Sequence, residues 1–326
     1  MPVKPMPASA PSSAPPPAPS ASAPPRAPRR GRRQLIQLLA ALLYNLNLPG
    51  FASASIYQGP LKALCVPGLN CYSCPGAIGA CPIGSLQAAL AAADRKLPFY
   101  IVGTLLAFGA VFGRTICGWL CPFGLIQDLL DKIPLPKLRK GTWSRVASWG
   151  KYVVLAITVI GIPLALTLSN ARPLPFFCAF LCPAGTLEAG IVLPAGREEL
   201  RALLGWQFAW KFAVLLVLLV ACLFIYRPFC RFLCPLGALY SFFNRIALLR
   251  YRLDLSRCAH CGACVQACKM DVGTVSDREC IQCGLCARHC EQQAISFTLT
   301  DMLSKRKGRG NVASSAPGTK GERYER

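Results

Sequence analysis

Apolar runs separated by short polar loops dominate the chain from residue 34 to residue 226. Four of them, at residues 34–48, 97–113, 152–169 and 208–226, approach or reach the length that a helix needs to cross about 30 Å of hydrocarbon. Pro163 is expected to kink the third run, and tryptophans flank the third and fourth, as is typical of a membrane interface. The pattern predicts a mainly α-helical chain organised as a four-span transmembrane bundle.

The first run has an alternative interpretation. It follows a basic stretch and precedes Ala-Ser-Ala at residues 52–54, an arrangement that also fits a cleaved secretory signal. We favour a retained helix, because the rest of the chain needs an anchored bundle.

Basic residues predict how the spans are oriented. Segment 114–151 holds seven of them, whereas loops 51–96 and 170–206 hold three each. Because cytoplasmic loops carry the excess of Lys and Arg, both termini are expected in the cytoplasm of a multi-pass protein of the bacterial inner membrane. Arg95 and Lys96 fall on the opposite side. The seven are Arg114, Lys132, Lys137, Arg139, Lys140, Arg145 and Lys151.

Composition supports contact with a lipid bilayer. Charged residues make up 15% of the chain, against about 25% in soluble domains. The formal net charge of +22 comes from basic residues beside the apolar runs and in both tails, where they meet anionic lipid. No nucleic-acid-binding motif accompanies this charge, so we expect no nucleic-acid partner.

Four regions follow from the changes in composition. Residues 1–33 are rich in Pro, Ala and Ser and end in a basic run, which predicts a disordered tail. Residues 34–252 form the predicted membrane domain, residues 253–298 a compact cysteine-rich domain, and residues 299–326 a basic tail.

The cysteine-rich domain carries two copies of Cys-x-x-Cys-x-x-Cys-x-x-x-Cys. In this spacing three thiolates hold one [4Fe–4S] cluster and the fourth reaches the other cluster. A disulfide cage and a zinc site are the alternatives, and a cytoplasmic location disfavours the first. We therefore predict a small α+β domain of the bacterial two-cluster ferredoxin type with two [4Fe–4S] clusters. The crossed ligand sets are Cys258, Cys261, Cys264 with Cys290, and Cys280, Cys283, Cys286 with Cys268.

A second motif, Cys-x-x-x-Cys-Pro, lies within the apolar part of the chain. Pro suits the first position of a helix, so each motif places a Cys at a helix N-terminus. Free amides and the helix dipole there favour the thiolate. Gly follows each Pro by two residues and permits close approach of another backbone. The copies are Cys117 and Cys121, Cys178 and Cys182, Cys230 and Cys234, with a degenerate copy at Cys74 and Cys81.

The order of spans and motifs predicts an internal duplication, residues 34–124 and 152–237. Under the predicted topology, Cys117, Cys121, Cys230 and Cys234 share the cytoplasmic side, and four thiolates suit one further cluster. The outward set holds either another cluster or disulfides. Disulfides are an alternative because the outward face of a bacterial membrane is oxidising. That set is Cys74, Cys81, Cys178 and Cys182, joined by Cys65 and Cys71. Cys222 is expected to be a small buried hydrophobe.

These motifs resemble those of the NapH/NosR-type membrane polyferredoxins over residues 34–297. Residues 70–77 are also similar to a segment of a less characterised branch of 4Fe–4S binding membrane proteins. The resemblance implies electron passage between the quinone pool and a partner redox enzyme. The chain departs from the family in its extra outward motif and in lacking a flavin-attachment motif.

No residue pattern indicates acid–base or nucleophilic catalysis, so we expect an electron-transfer component rather than a stand-alone enzyme. Its expected partners are a redox protein, the lipid bilayer and, as one candidate, quinone. Two alternatives remain: a metal-handling or cofactor-assembly protein that holds copper or zinc in the paired thiolates, and a redox sensor.

Overall fold

The computed structural model describes residues 30–91, 99–138, 141–169 and 174–299. The predicted tails therefore lie outside the described residues, apart from residues 30–33 and 299, as do Arg95, Lys96, Arg139 and Lys140. The described chain is mainly α-helical, as the apolar pattern predicted, with a single two-stranded sheet near its C-terminal end.

Helices of the first half range from 5 to 15 residues in length. The helix α1 begins four residues earlier than predicted and ends before Asn45, whose Nδ2 donates to the Ala41 carbonyl and to Asn70 Oδ1, both at 2.9 Å. A 3₁₀ turn spans Pro60–Ala63. The α-helices are α1 Arg30–Tyr44, α2 Pro49–Ser53, α3 Pro82–Leu90, α4 Phe99–Phe112, α5 Thr115–Trp119 and α6 Pro122–Leu130.

Helices of the second half are interrupted by π-helical turns. One of these turns, Leu155–Gly161, directly precedes the helix that contains Pro163, whose missing N–H cannot continue the α-helical ladder. The other π turns are Phe177–Leu181, Thr186–Gly190 and Phe229–Leu233. The α-helices are α7 Thr142–Ala147, α8 Gly150–Val154, α9 Ile162–Leu168, α10 Pro183–Gly185, α11 Val192–Gly196, α12 Glu198–Ala202, α13 Trp206–Phe224 and α14 Pro235–Phe243.

Two helical segments of the described chain are long and apolar enough to cross a membrane, Trp143–Leu168 and Trp206–Phe224. Only 28% and 17% of their most apolar windows are buried inside the protein. Phe99–Phe112 is apolar but shorter. The third and fourth predicted runs therefore form helices, and their outward surfaces are apolar.

The core lies where the Pro-led helices meet. Ile83, Ile116 and Phe177 are at most 1% exposed and belong to the cluster that contains most motif cysteines. The rings of Phe123 and Phe229 meet edge to face, with centroids 5.1 Å apart. The residues that flank the cysteines thus form the packed centre of the protein.

The C-terminal module is closed by strands β1 Leu249–Leu253 and β2 Ile295–Leu299, which pair antiparallel from Leu249 with Leu299 to Leu253 with Ile295. The strand β1 begins four residues before the predicted boundary at residue 253. Helices α15 Ala263–Gln266 and α16 Leu285–Arg288 lie between the strands. Equivalent positions of the two cysteine runs share positive φ angles: His260 and Gln282, Gly262 and Gly284, Asp271 and Gln293. The module is therefore a backbone repeat.

Candidate metal centres

We number the four Cys-Pro motifs along the chain, starting with the degenerate copy. The second and fourth motifs contribute the four cysteines of what we call the proximal group: Cys117, Cys121, Cys230 and Cys234. They interact electrostatically with one another, and each is at most 6% exposed. Cys121 and Cys234 directly precede the Pro-led helices α6 and α14. The N–H of Gly237 donates to Cys234 Sγ at 3.3 Å. The structure brings together the four residues that the sequence assigned to one centre.

Two arginines cross between the halves of the proximal group. Arg114 lies three residues before Cys117, and its Nη2 donates to the carbonyl oxygen of Cys230 at 3.1 Å. Arg227 lies three residues before Cys230, and its Nη1 donates to the carbonyl oxygen of Cys117 at 2.5 Å. Both side chains are fully buried. This reciprocal bond was not predicted, although an Arg at the same position of both motifs marked it.

The glycines after the two proline residues make room for these guanidinium groups. A Cβ on Gly124 would lie 3.2 Å from Arg227 Nη1, and one on Gly237 would lie 3.6 Å from Arg114 Nη2. The same Cβ atoms would lie 3.0 and 3.3 Å from the carbonyl oxygens that accept the arginine bonds. Gly at this motif position therefore admits a guanidinium group beside a carbonyl oxygen of its own motif, whereas the expected neighbour was another backbone.

Buried Asp128 on α6 neutralises one of the crossing arginines. Arg227 binds it with two N–H groups at 2.8 and 2.6 Å, and Arg33 Nη2 approaches to 2.8 Å. The Tyr226 hydroxyl donates to the same carboxylate at 3.0 Å. Burial alone would raise the pKa of Asp128, but Arg227 outweighs it, with help from Arg33, and holds that pKa below its usual range.

Glu279 of the C-terminal module neutralises the other crossing arginine. Its carboxylate lies 2.7 Å from Arg114 Nη1 and also accepts from Lys151 Nζ. Burial would raise the pKa of Glu279, but the two cations lower it below its usual range. Glu279 directly precedes Cys280, so an ion pair joins the module to the proximal group.

Backbone contact joins the same two regions. Gly118 lies between the two cysteines of its motif, and a Cβ there would stand 2.1 Å from the carbonyl oxygen of Ile281. Trp119 Nε1 donates to the carbonyl oxygen of Gln282 at 2.8 Å. Ile281 and Gln282 lie between two cysteines of the module. The cysteine loops of the proximal group and the module are therefore in direct contact.

Within the module, the second cysteine run and the fourth Cys of the first run meet. Cys280 interacts electrostatically with Cys283, Cys286 and Cys268, and all four line one cavity with Cys264. Equivalent amides face the first sulfur of each run: the N–H of Gln282 lies 3.4 Å from Cys280 Sγ, and that of His260 lies 3.4 Å from Cys258 Sγ. The N–H of Ala294 faces Cys290 Sγ at 3.3 Å. Cys261 is exposed.

A second set, which we call the distal group, comprises Cys71, Cys81, Cys178 and Cys182. Its members interact electrostatically with one another. A Cβ on Gly185 would lie 3.6 Å from Cys71 Sγ and 3.8 Å from Cys182 Sγ. A Cβ on Gly84 would lie 3.7 Å from Cys178 Sγ. Cys81, Cys178 and Cys182 belong to the predicted outward set of four. The fourth member of the distal group is Cys71, where the prediction had Cys74.

Cys74 instead points towards helix α1, where its Sγ donates to Asn45 Oδ1 at 3.4 Å. Two consecutive turns separate the side chains of Cys71 and Cys74. In these turns the N–H of Cys74 donates to Cys71 O, and the N–H of Ala77 donates to Cys74 O. Cys65 lies on an isolated bridge with Ala80. All 19 cysteines lie in the described ranges, and none is in a disulfide. The irregular spacing of this segment gave no signal to distinguish Cys71 from Cys74.

Only a short loop separates the two groups. The backbone amide of Leu69 faces Cys121, and that of the next residue, Asn70, faces Cys81. Tyr240 is 1% exposed and interacts with Cys117 as well as Cys81. The distal group, the proximal group and the module therefore form a continuous series.

Burial dominates the electrostatics of the thiols. It raises the pKa of Cys121 to about 12, with Cys230 and Cys117 adding to the effect. It raises the pKa of Cys71 to about 12, and Glu188, whose Oε2 accepts from Cys71 N at 2.6 Å, adds to it. Burial also raises the pKa of Glu188 to about 7. Burial thus opposes the thiolate that the helix dipole was predicted to favour, and a metal that binds these thiols displaces their protons.

The donor chemistry fits iron–sulfur clusters. Each group offers four soft sulfur ligands and lies beside backbone amides that can donate to sulfur. Among the described residues, no three His, Cys, Asp or Glu side chains converge closely enough to hold a single metal ion. A four-iron cluster is wider than one ion, so its ligands stand further apart.

Comparisons with known proteins agree with this chemistry. A family model described as a 4Fe-4S binding domain matches residues 97–141, 152–196 and 206–255, and each match contains one complete Cys-x-x-x-Cys-Pro motif. No solved structure matches the chain.

Three relatives indicate the same class of protein. The methylamine utilization ferredoxin-type protein MauN of Methylorubrum extorquens is 31% identical over 58% of this chain and 55% of its own length. The regulatory protein NosR of Pseudomonas aeruginosa is 31% identical over 52% of this chain and 23% of its own. YccM of Escherichia coli, whose name assigns it to electron transport, is 28% identical over 68% of this chain and 59% of its own. With the domain matches, these relatives support a 4Fe–4S protein of the NapH/NosR type.

Proposed function

We propose that the protein is a membrane-bound electron carrier that passes electrons through a series of iron–sulfur clusters between the membrane and a redox partner. Iron–sulfur electron transfer follows from the family. We also propose the order of the centres: the distal group comes first, then the proximal group, then the module. It is carried by one observation: the cysteine loops touch, through Gly118 and Ile281 on one side and through Leu69 and Asn70 on the other.

Each group would hold one cluster with four thiolates. The proximal ligands are the four cysteines already assigned from the sequence, and the distal ligands are Cys71, Cys81, Cys178 and Cys182. The module would hold two [4Fe–4S] clusters with the crossed ligand sets, as the contact of Cys268 with the second run supports. These clusters supply one-electron chemistry when bound, and the chain binds them, excludes water and supplies amides to their sulfurs.

We place the carrier in the bacterial inner membrane with four spans and both termini in the cytoplasm. The two long apolar helices and the basic segment 114–151 support this topology. Quinone is the proposed membrane-level electron partner. In support, the cavity that all four distal cysteines line extends along apolar residues such as Leu193, Leu204 and Phe208.

Anaerobic purification followed by iron, sulfide and EPR analysis tests the proposal. Four clusters predict about sixteen iron atoms per chain. Replacing Cys117 and Cys230 with Ser should remove about four irons and one EPR signal, and leave the module signals. Stoichiometric copper or zinc with no labile sulfide would contradict the proposal and favour metal handling.

A matched pair of variants tests the distal ligand set. C71S should lose the distal cluster, whereas C74S should keep it, because Cys74 faces Asn45. Cys65→Ser, at a buried cysteine outside both groups, controls for loss of a thiol. Loss of the same cluster from C74S, with C71S unaffected, would overturn the assignment of Cys71.

A further inference from the structure

One motif position carries a polar side chain in all four copies. It lies six residues after the second Cys and is occupied by Gln87, Gln127, Glu188 and Tyr240. Both glutamines are fully buried and follow the two motifs of the first half of the duplication. Burying a primary amide is costly unless it is hydrogen-bonded, so its partners matter.

Each glutamine donates to a cysteine sulfur in the second half. Gln87 Nε2 lies 3.3 Å from Cys178 Sγ, in the distal group. Gln127 Nε2 lies 3.1 Å from Cys230 Sγ, in the proximal group. In both cases the sulfur belongs to the first Cys of its motif. The two groups therefore share one equivalent amide-to-sulfur bond.

The surroundings fix which end of the Gln87 amide faces the sulfur, and one contact favours the same orientation for Gln127, whose Oε1 has no partner among the described residues. Gln87 Oε1 accepts the N–H of Phe177 at 2.9 Å, so its Nε2 must point the other way, towards Cys178. Gln127 Nε2 also lies 3.5 Å from the carbonyl oxygen of Phe123. Turning this amide over would set its oxygen against that carbonyl and the sulfur. Both side chains thus present an N–H donor to a ligand sulfur.

We propose that Gln87 and Gln127 raise the reduction potentials of the distal and proximal clusters by donating this hydrogen bond. The inference rests on the proposed clusters in these two groups. One-electron reduction adds a negative charge that spreads onto the ligand sulfurs, and an N–H donor stabilises the more negative state more strongly. The glutamines are positioning residues: they act on the cluster through a ligand and bind no iron.

Redox titration of the full-length protein, monitored by EPR, tests this inference. Gln127→Met keeps length and burial but removes the N–H, and should lower the proximal potential while leaving the distal one unchanged. Gln87→Met should do the reverse, so each variant is the control for the other. Gln58→Met removes an exposed glutamine amide and should change neither potential.

The outcomes separate this inference from the proposed function. If the wild-type protein lacks the proximal and distal signals, the proposed clusters fail. If the signals and iron content are intact but the Met variants titrate at wild-type potentials, only the inference on the glutamines fails. A shift of both potentials by either single variant, or a shift to higher potential, would also overturn it.

Discussion

The proximal and distal groups share a backbone but differ in the charges around it. In both, a Pro-led helix follows the second Cys, a glycine lies two residues beyond Pro, and a glutamine donates to sulfur. Around the proximal group, Arg114 and Arg227 are fully buried and bound to carboxylates. In the distal group, the position equivalent to these arginines in the third motif is Pro175, and the nearby carboxylate of Glu188 accepts only a backbone N–H in the described structure.

This difference indicates two tasks for one motif. The proximal group is tied by ion pairs to its neighbours, α6 through Asp128 and the C-terminal module through Glu279. The distal group opens instead onto an apolar cavity. The same motif therefore serves one centre that is docked by ion pairs and one that faces apolar residues.

Replacing Arg227 should produce the largest loss. Arg227→Leu leaves Asp128 buried with Arg33 as its remaining cation, and breaking a buried pair costs about 3–5 kcal/mol. We expect thermal unfolding in detergent to occur at lower temperature and the proximal cluster to be lost before the distal one. Arg33→Leu is the control, because its partly exposed side chain contributes less. Equal loss of both clusters in Arg227→Leu would contradict the conclusion that buried ion pairs stabilise the proximal group alone.

Replacing Glu279 should have the next largest effect. Glu279→Gln leaves Arg114 and Lys151 without a carboxylate, and we expect the free energy of unfolding to fall by about 2–3 kcal/mol. This loss is below the usual range for a buried pair because a fifth of the Glu279 side chain is exposed. The module should detach from the proximal group, so magnetic coupling between their EPR signals should weaken. Asp277→Asn, at an exposed ion pair with Arg245, should change little. Unchanged coupling in Glu279→Gln would argue against docking through this residue.

The sequence predicted the parts of the fold that depend on local pattern. Run 208–226 became the helix Trp206–Phe224, and the spacing of the proximal cysteines grouped four residues that the structure places side by side. Pro fixed where each short helix begins, because that requirement is local.

Features that depend on tertiary packing could not be predicted. Helix α1 ends earlier than its apolar run, and the residues that follow it make long-range contacts: Asn47 Nδ2 donates to the carbonyl oxygen of Pro75, across 28 positions. The choice of Cys71 over Cys74 depends on consecutive turns in an irregular loop. The crossing of Arg114 and Arg227 requires both halves of the duplication to be folded, so the pattern around either motif alone does not reveal it.

A smaller effect is expected where the module touches the proximal loop. Gly118→Ala places a Cβ 2.1 Å from the Ile281 carbonyl, which must move, and overpacking of this kind costs about 1–3 kcal/mol. Electron transfer from the proximal cluster to the module, followed after rapid reduction, should slow. Gly84→Ala in the distal group meets its nearest sulfur at 3.7 Å and should be tolerated. Equal rates in both variants would contradict direct contact at Gly118.

The smallest effect concerns the residue between the two groups. Tyr240 donates its hydroxyl to the carbonyl oxygen of Pro67 at 3.0 Å, and so anchors the start of the loop that carries Leu69 and Asn70. Tyr240→Phe removes one hydrogen bond, worth about 0.5–1.5 kcal/mol, and keeps the ring. We expect full cluster content and unshifted potentials, with only a modest loss of stability in detergent. Tyr240→Leu also removes the ring from between Cys81 and Cys117, so it should loosen the loop and change both EPR spectra. If Tyr240→Phe alone abolished the distal cluster, the loop would depend on the hydroxyl rather than on packing, and the two groups would not be independent centres.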